Sequence, residues 1–141
     1  MHATNYAESA IGSALFLGQQ LPAITEWHIG LFSATASPET GNVTEVSTSG
    51  TGYARERIDP GASFAKRPMQ DSNDNTVFYN TVDIAFNTAI TIWAAGNYIS
   101  HFGLYDQSGN LWIVAPLTSE KIVNVGDAPV FLAGELEITI G

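Results

Sequence analysis

The first pattern along the chain is an apolar stripe with helical spacing near its N-terminus. Apolar side chains recur at intervals of three and four residues at Ala7, Ala10, Ile11, Ala14 and Leu15. This spacing predicts one amphipathic helix, which Asn5 and Glu8 begin as a capping box and Gly18 ends. A helix of about twelve residues is marginal alone in water. We therefore expect it to dock on its own domain or on a neighbouring protein.

The rest of the chain alternates apolar and polar residues with a period of two, as β-strands do. Strands are predicted at 27–32, 53–58, 82–86, 90–93, 98–105, 111–117, 120–125 and 136–140. Residues 34–52 and 68–76 are rich in Ser, Thr, Gly, Pro, Asn and Asp and are predicted to be loops. Short strands with frequent turns predict an all-β antiparallel β-sandwich, jelly-roll-like, with one short N-terminal helix. The predicted organisation is a helical segment at 1–20 packed on a single sandwich domain at 21–141.

One predicted strand is apolar on both of its faces. Residues 111–115 read Leu-Trp-Ile-Val-Ala without a polar position. A strand of this kind is buried on both sides. The core covers one side, and either a partner or the helix covers the other.

Charge is scarce and strongly acidic. Charged residues make up 13% of the chain, and its net charge is −9. With so few charges, uncharged polar residues must cover much of the surface, or part of the surface is an interface. The second alternative arises because oligomer contacts are depleted in charge. An acidic surface repels phosphate, so nucleic acid is not an expected partner. The bases at Arg55, Arg57, Lys66 and Arg67 form either an anion-facing patch or, as we favour, ion pairs with acids.

The chain has no cysteine, which excludes disulfides and thiol catalysis and fits assembly in a reducing cytoplasm. No apolar run is long enough to cross a membrane. The N-terminus lacks the pattern of a signal peptide. A membrane partner is therefore not expected.

No motif in the sequence predicts an enzyme. The three histidines, His2, His28 and His101, accompany no G-x-S-x-G nucleophile motif. His28 and His101 lie in apolar strands and are interpreted as hydrogen-bonded structural residues, although a metal pair across strands is an alternative. Residues 71–75 (Asp-Ser-Asn-Asp-Asn) resemble the start of a calcium loop but lack its later glycine and glutamate. We expect no catalytic residue, metal or cofactor.

Several segments together resemble a known family. They are Gly30-Leu-Phe-Ser33, Thr44-Glu-Val-Ser47, Gly52-Tyr-Ala-Arg55, Val82-Asp-Ile-Ala-Phe86, Ile92-Trp93, His101-Phe-Gly-Leu-Tyr-Asp106, Leu117-Thr-Ser-Glu-Lys121, Val125-Gly-Asp127 and the segment 131–140. In this order they resemble short phage structural proteins labelled tail-fibre-like. The resemblance implies a virion component without catalysis, and it assigns no functional residue.

Two positions in the virion fit such a protein. The favoured hypothesis is a homotrimeric capsid-decorating (cement) protein that stabilises the shell by burying surface on the major capsid protein, since no shaft-forming repeat is present. The alternative is a tail-fibre, tail-tip or baseplate module that contacts tail proteins. Its aromatic residues Tyr53, Tyr79, Trp93 and Tyr98 would then meet a glycan or a receptor, although such residues in strands are more often core. A carbohydrate-binding protein or enzyme is the distant alternative.

The interface of the predicted assembly is assigned to three groups of residues. The residues are Ala7, Ile11 and Leu15 on the helix, the bases Arg55 and Arg57, and Trp112 and Val114 on the strand that is apolar on both faces. The expected partners are further copies of the chain and capsid or tail proteins. The expected location is the virion, assembled in the cytoplasm of the bacterial host.

Overall fold

The computed structural model describes residues 1–69 and 74–140. Over these residues the chain forms one α-helix, α1 (Asn5–Leu17), together with short strands and two 3-10 helices at Pro38–Thr40 and Trp93–Gly96. The strands are β1 (His2–Ala3), β2 (Trp27–Ser37), β3 (Asn42–Glu45), β4 (Glu56–Ile58), β5 (Phe64–Lys66), β6 (Thr76–Asn80), β7 (Ile84–Ala85), β8 (Ile99–Tyr105), β9 (Leu111–Lys121), β10 (Val130–Phe131) and β11 (Glu137–Ile140).

The strands form one large sheet and two small ones. The large sheet has the order β1-β9-β8-β2-β3, and β4 also pairs with β2. The small sheets have the orders β11-β6-β5 and β10-β7, and every pairing described is antiparallel. The predicted all-β antiparallel class with a short N-terminal helix is therefore confirmed.

The main core lies between the large sheet and the two small ones. Alternate residues of the long central strands, such as Ile29 and Leu31 on β2 and Phe102 and Leu104 on β8, are buried on this side. They pack with buried residues of the small sheets, including Ile138. The long central strands β2 and β8 therefore turn an apolar period-two face inward, as the alternation predicts.

A smaller apolar cluster covers the other face of the large sheet. Phe32, Tyr105 and Val114 are its buried members, and the rings of Phe32 and Tyr105 meet edge to face with centroids 6.3 Å apart. The Phe32 ring lies directly over Gly103, where a Cβ atom would come within 2.5 Å of its Cζ. Glycine is therefore needed at this position of β8 because the ring fills the space that a side chain would take.

Three predictions about the strands were wrong. Residues 34–52 are not all loop, because β2 continues to Ser37 and β3 occupies Asn42–Glu45. Residues 90–93 are not a strand but lead into a 3-10 helix, and the predicted strand at 120–125 is only the end of β9, which stops at Lys121. A strand can carry Ser and Thr on a face that meets solvent. The polar composition of residues 34–52 therefore did not exclude the end of β2 or the whole of β3. The strands β1, β5, β6 and β10 were not predicted at all.

Candidate assembly surface

The start of α1 is fastened firmly to the edge of the large sheet. Strand β1 pairs with β9, with His2 opposite Val114. Thr4 then donates through its hydroxyl to the carbonyl of Leu111 (2.6 Å) and through its backbone N–H to the carbonyl of Trp112 (3.0 Å). The Thr4 hydroxyl also accepts from the Ala7 N–H, so Thr4, and not the predicted Asn5, is the N-cap.

The first turn of α1 rests on Trp112. The Tyr6 ring meets the Trp112 indole edge to face at 5.3 Å, and the Trp27 ring meets it similarly at 6.3 Å. The indole Nε1 of Trp112 donates to Asp106 (2.9 Å), which also accepts from Asn110. Burial works against ionisation of Asp106, but these donors outweigh it and lower the pKa of its carboxyl below the usual value.

The rest of α1 leaves the body of the protein. Ala7 is its only buried residue, and Leu15, Phe16 and Leu17 are 72%, 84% and 71% exposed. Successive helix residues point about 100° apart, so the last turn is apolar on all sides. Gly18 ends the helix in the left-handed conformation, as predicted. We call residues 15–17 the helix tip.

The sequence-predicted interface residues fall into two sets. Ala7, Trp112 and Val114 are buried inside the subunit, so their side chains are covered without a partner. Ile11 and Leu15 are exposed. The second face of the strand at 111–115 was predicted to be covered either by a partner or by the helix. At Trp112 the structure shows that the helix covers it, through Tyr6. Phe16 and Leu17 were not predicted as interface residues because they lie off the apolar stripe of the helix. The signal that could have found them is the run of three large apolar residues directly before Gly18.

The predicted bases make ion pairs. Arg55 Nε and Nη2 donate to the two carboxylate oxygens of Glu45, each at 2.8 Å. Arg57 pairs with Glu26 at 2.7 Å and with Asp59 at 3.2 Å. The ion-pair interpretation is confirmed for Arg55, Arg57 and also Arg67, which pairs with Glu137. Lys66 makes no salt bridge with the residues that the structure describes.

Glu45 holds a polar network on the outer face of the large sheet. The Tyr53 hydroxyl donates to Glu45 Oε1 (2.7 Å) and accepts from the backbone N–H of Leu31 (3.0 Å). The Arg55 guanidinium stacks 3.4 Å above the centre of the Tyr105 ring. Burial is the largest cause, and the negative charge of Glu45 the second, that raises the pKa of Tyr105 to about 12. The same two causes also raise the pKa of Tyr53.

These two tyrosines predict a loss of stability at alkaline pH. In the unfolded chain both phenols ionise near pH 10, whereas in the folded chain their raised pKa values keep them neutral. The unfolded state therefore holds fewer protons above pH 10, and the free energy of unfolding falls as pH rises towards 12. Urea titrations at pH 8, 10 and 11 would measure this loss. It should shrink in Tyr105→Phe, and a stability that stays flat over this range would contradict the network.

His28 and His101 lie in local polar contacts, and two of the four aromatics proposed to bind glycan are buried, whereas Tyr98 is 55% exposed. His28 lies 3.3 Å from Glu26, and His101 is hydrogen-bonded to Ser100 (2.7 Å). Of the proposed glycan-binding aromatics, Tyr53 and Trp93 are buried, so neither can meet a ligand. Within the described ranges there is no cluster of three or more acidic or histidine ligands. The calcium-like segment 71–75 lies mostly outside the described residues.

An apolar pocket opens at one edge of the main core. It has a volume of about 220 Å³ and lies between the large sheet and β11-β6-β5. Its walls include Trp27, Phe64, Phe78, Ile113 and Ile140. We call it the edge pocket. Its lining carries no charged side chain, so it favours an apolar occupant.

Comparison with known proteins decides the family. A family model described as Podophage GP4 fiber I protein gp80 matches residues 2–139. The chain belongs to this fibre family. The match makes it a bacteriophage virion component, and it favours the tail-fibre alternative over the predicted capsid decoration.

No curated protein matches this fibre-family chain. None of the helices in the part of the chain that the structure describes has the length and apolar character needed to cross a membrane. The function is inferred from the family match and the assembly surface.

Proposed function

We propose that this chain is a non-enzymatic structural subunit of a phage tail fibre, held in the appendage by contacts with copies of itself and with tail proteins. The observation that carries the proposal is the match of residues 2–139 to a fibre protein. A fibre subunit works by burying surface between neighbours. Its assembly in the host cytoplasm would fit a chain without cysteine.

The structure supports this proposal through its exposed apolar helix. Monomeric proteins rarely expose clustered large apolar side chains, yet the helix tip exposes three in succession. The neighbouring Ile11 and Leu21 are also exposed. A homotrimer remains our prediction for the oligomer, and α1 is the element we propose to lie at its contacts.

Fractionation of purified virions tests the proposal. We expect quantitative mass spectrometry to find the chain with separated tails, in far fewer copies than the major capsid protein. Enrichment in tail-free heads at a copy number like that of the capsid protein would instead identify a decoration protein. Absence from washed particles would overturn any role as a virion component.

A further inference from the structure

We propose that the helix tip of one copy inserts into the edge pocket of a second copy. This inference deepens the proposed function by naming the two surfaces that join subunits. Both surfaces are apolar and open to solvent in the single chain. Phe16 is 84% exposed, and the edge pocket is unfilled between two layers of the fold.

The sizes of the two surfaces agree. The edge pocket has a volume of about 220 Å³, whereas a buried cavity of roughly 150 Å³ already accommodates benzene. A phenyl ring such as that of Phe16 therefore fits, with room for part of Leu15 or Leu17. The aromatic walls formed by Trp27, Phe64 and Phe78 suit an inserted ring, which they can meet edge to face.

Charge also favours a second copy as the occupant. Each chain has a net charge of −9, yet the segment 5–25, which contains α1 and its return to the sheet, has only one charged residue, Glu8. A second copy can thus bring this segment against the edge pocket, whose lining carries no charged side chain, with little repulsion. The last turn of α1 has no basic residue, so its partly negative end complements Lys66, which is exposed on β5 two residues after the pocket residue Phe64.

The contact joins two different surfaces, so each copy both gives a tip and receives one. A head-to-tail contact of this type closes into a ring if its rotation allows, and otherwise forms an open chain. Every subunit in a ring then buries both of its apolar surfaces. One mode of contact thus covers the helix tip and the edge pocket together.

Site-specific crosslinking tests the contact, because the chain has no cysteine of its own. Copies with Leu17→Cys, which keep the Phe16 ring, and copies with Ile140→Cys would be co-expressed with different tags, purified and oxidised. Ile140 lies on the pocket wall and is 45% exposed, so its replacement spares the core. We expect a disulfide between the two kinds of copy. Pairing of Leu17→Cys with Val125→Cys, which is exposed outside the pocket lining, is the matched control and should give none.

The oligomeric state gives a second readout. Phe16→Ser should weaken self-association at least about tenfold in analytical ultracentrifugation, because burial of a phenyl ring contributes that much or more, while circular dichroism stays unchanged. Disulfides only between two Leu17→Cys copies would indicate helix-to-helix packing and overturn the inference, as would a monomeric wild-type chain. Neither result would affect the location of the chain in the tail, which virion fractionation tests separately.

Discussion

Replacement of Trp112 by aspartate is expected to lower the free energy of unfolding by about 3–5 kcal/mol. Trp112 is only 5% exposed, and its indole joins Tyr6 of α1 to Trp27 of the large sheet. The new carboxylate would be buried beside Asp106, which now accepts a hydrogen bond from the indole. Two carboxylates without a cation resist ionisation together, so the substitution removes packing and adds repulsion.

The loss should be measured by urea denaturation, with Trp112→Phe as the control. Phenylalanine keeps an aromatic ring but loses the donor to Asp106, which retains bonds from Ser108 and Asn110. We expect this control to lose clearly less stability than the aspartate variant. Because a domain is stable by only about 5–15 kcal/mol, the aspartate variant should also fail to assemble. A folded aspartate variant that enters virions normally would show that Trp112 is not buried as described.

Gly103→Val is the second substitution with a large expected effect. A Cβ atom at this position would lie 2.5 Å from Phe32 Cζ and 2.9 Å from Leu111 Cδ1. Phe32 is fully buried, so its ring cannot move away without displacing its neighbours. Overpacking of this kind destabilises by about 1–3 kcal/mol, and the branched valine should reach the upper end.

The control for Gly103 is Gly12→Ala on α1. Among the described residues, no atom beyond the adjacent residues and the nearby backbone of α1 lies within 4 Å of a Cβ built at Gly12. Alanine also favours a helix over glycine by roughly 1 kcal/mol. This variant should be as stable as the wild type or slightly more stable in the same denaturation assay. Equal stabilities for Gly103→Val and the wild type would show that the Phe32 ring is not held over β8.

Much of the fold followed from the period of the apolar residues. The stripe through Ala7, Ile11 and Leu15 predicted a helix that ends at Gly18. The runs at 98–105 and 111–117 predicted the strands β8 and β9, which pair with each other in antiparallel. Local pattern suffices there because each strand has a clear buried face. It failed at 34–52, where the main support of β3 is its pairing with β2, a contact that local sequence does not specify.

The candidate site was harder to predict for a physical reason. Apolar periodicity marks residues that need cover, but it does not say whether the chain itself or a partner provides the cover. Trp112 is covered by Tyr6 from α1, more than one hundred positions earlier in the chain, so its burial needs no partner. Phe16 faces solvent, and only the three-dimensional fold distinguishes these two outcomes.

A cryo-electron microscopy map of the intact virion would show where this subunit lies and what its helix tip contacts. We expect the fold of β1–β11 with α1 to fit density in an appendage attached to the tail, with each helix tip in contact with a neighbouring subunit. Density for this fold spread over the capsid shell, or found nowhere on the particle, would contradict this expectation.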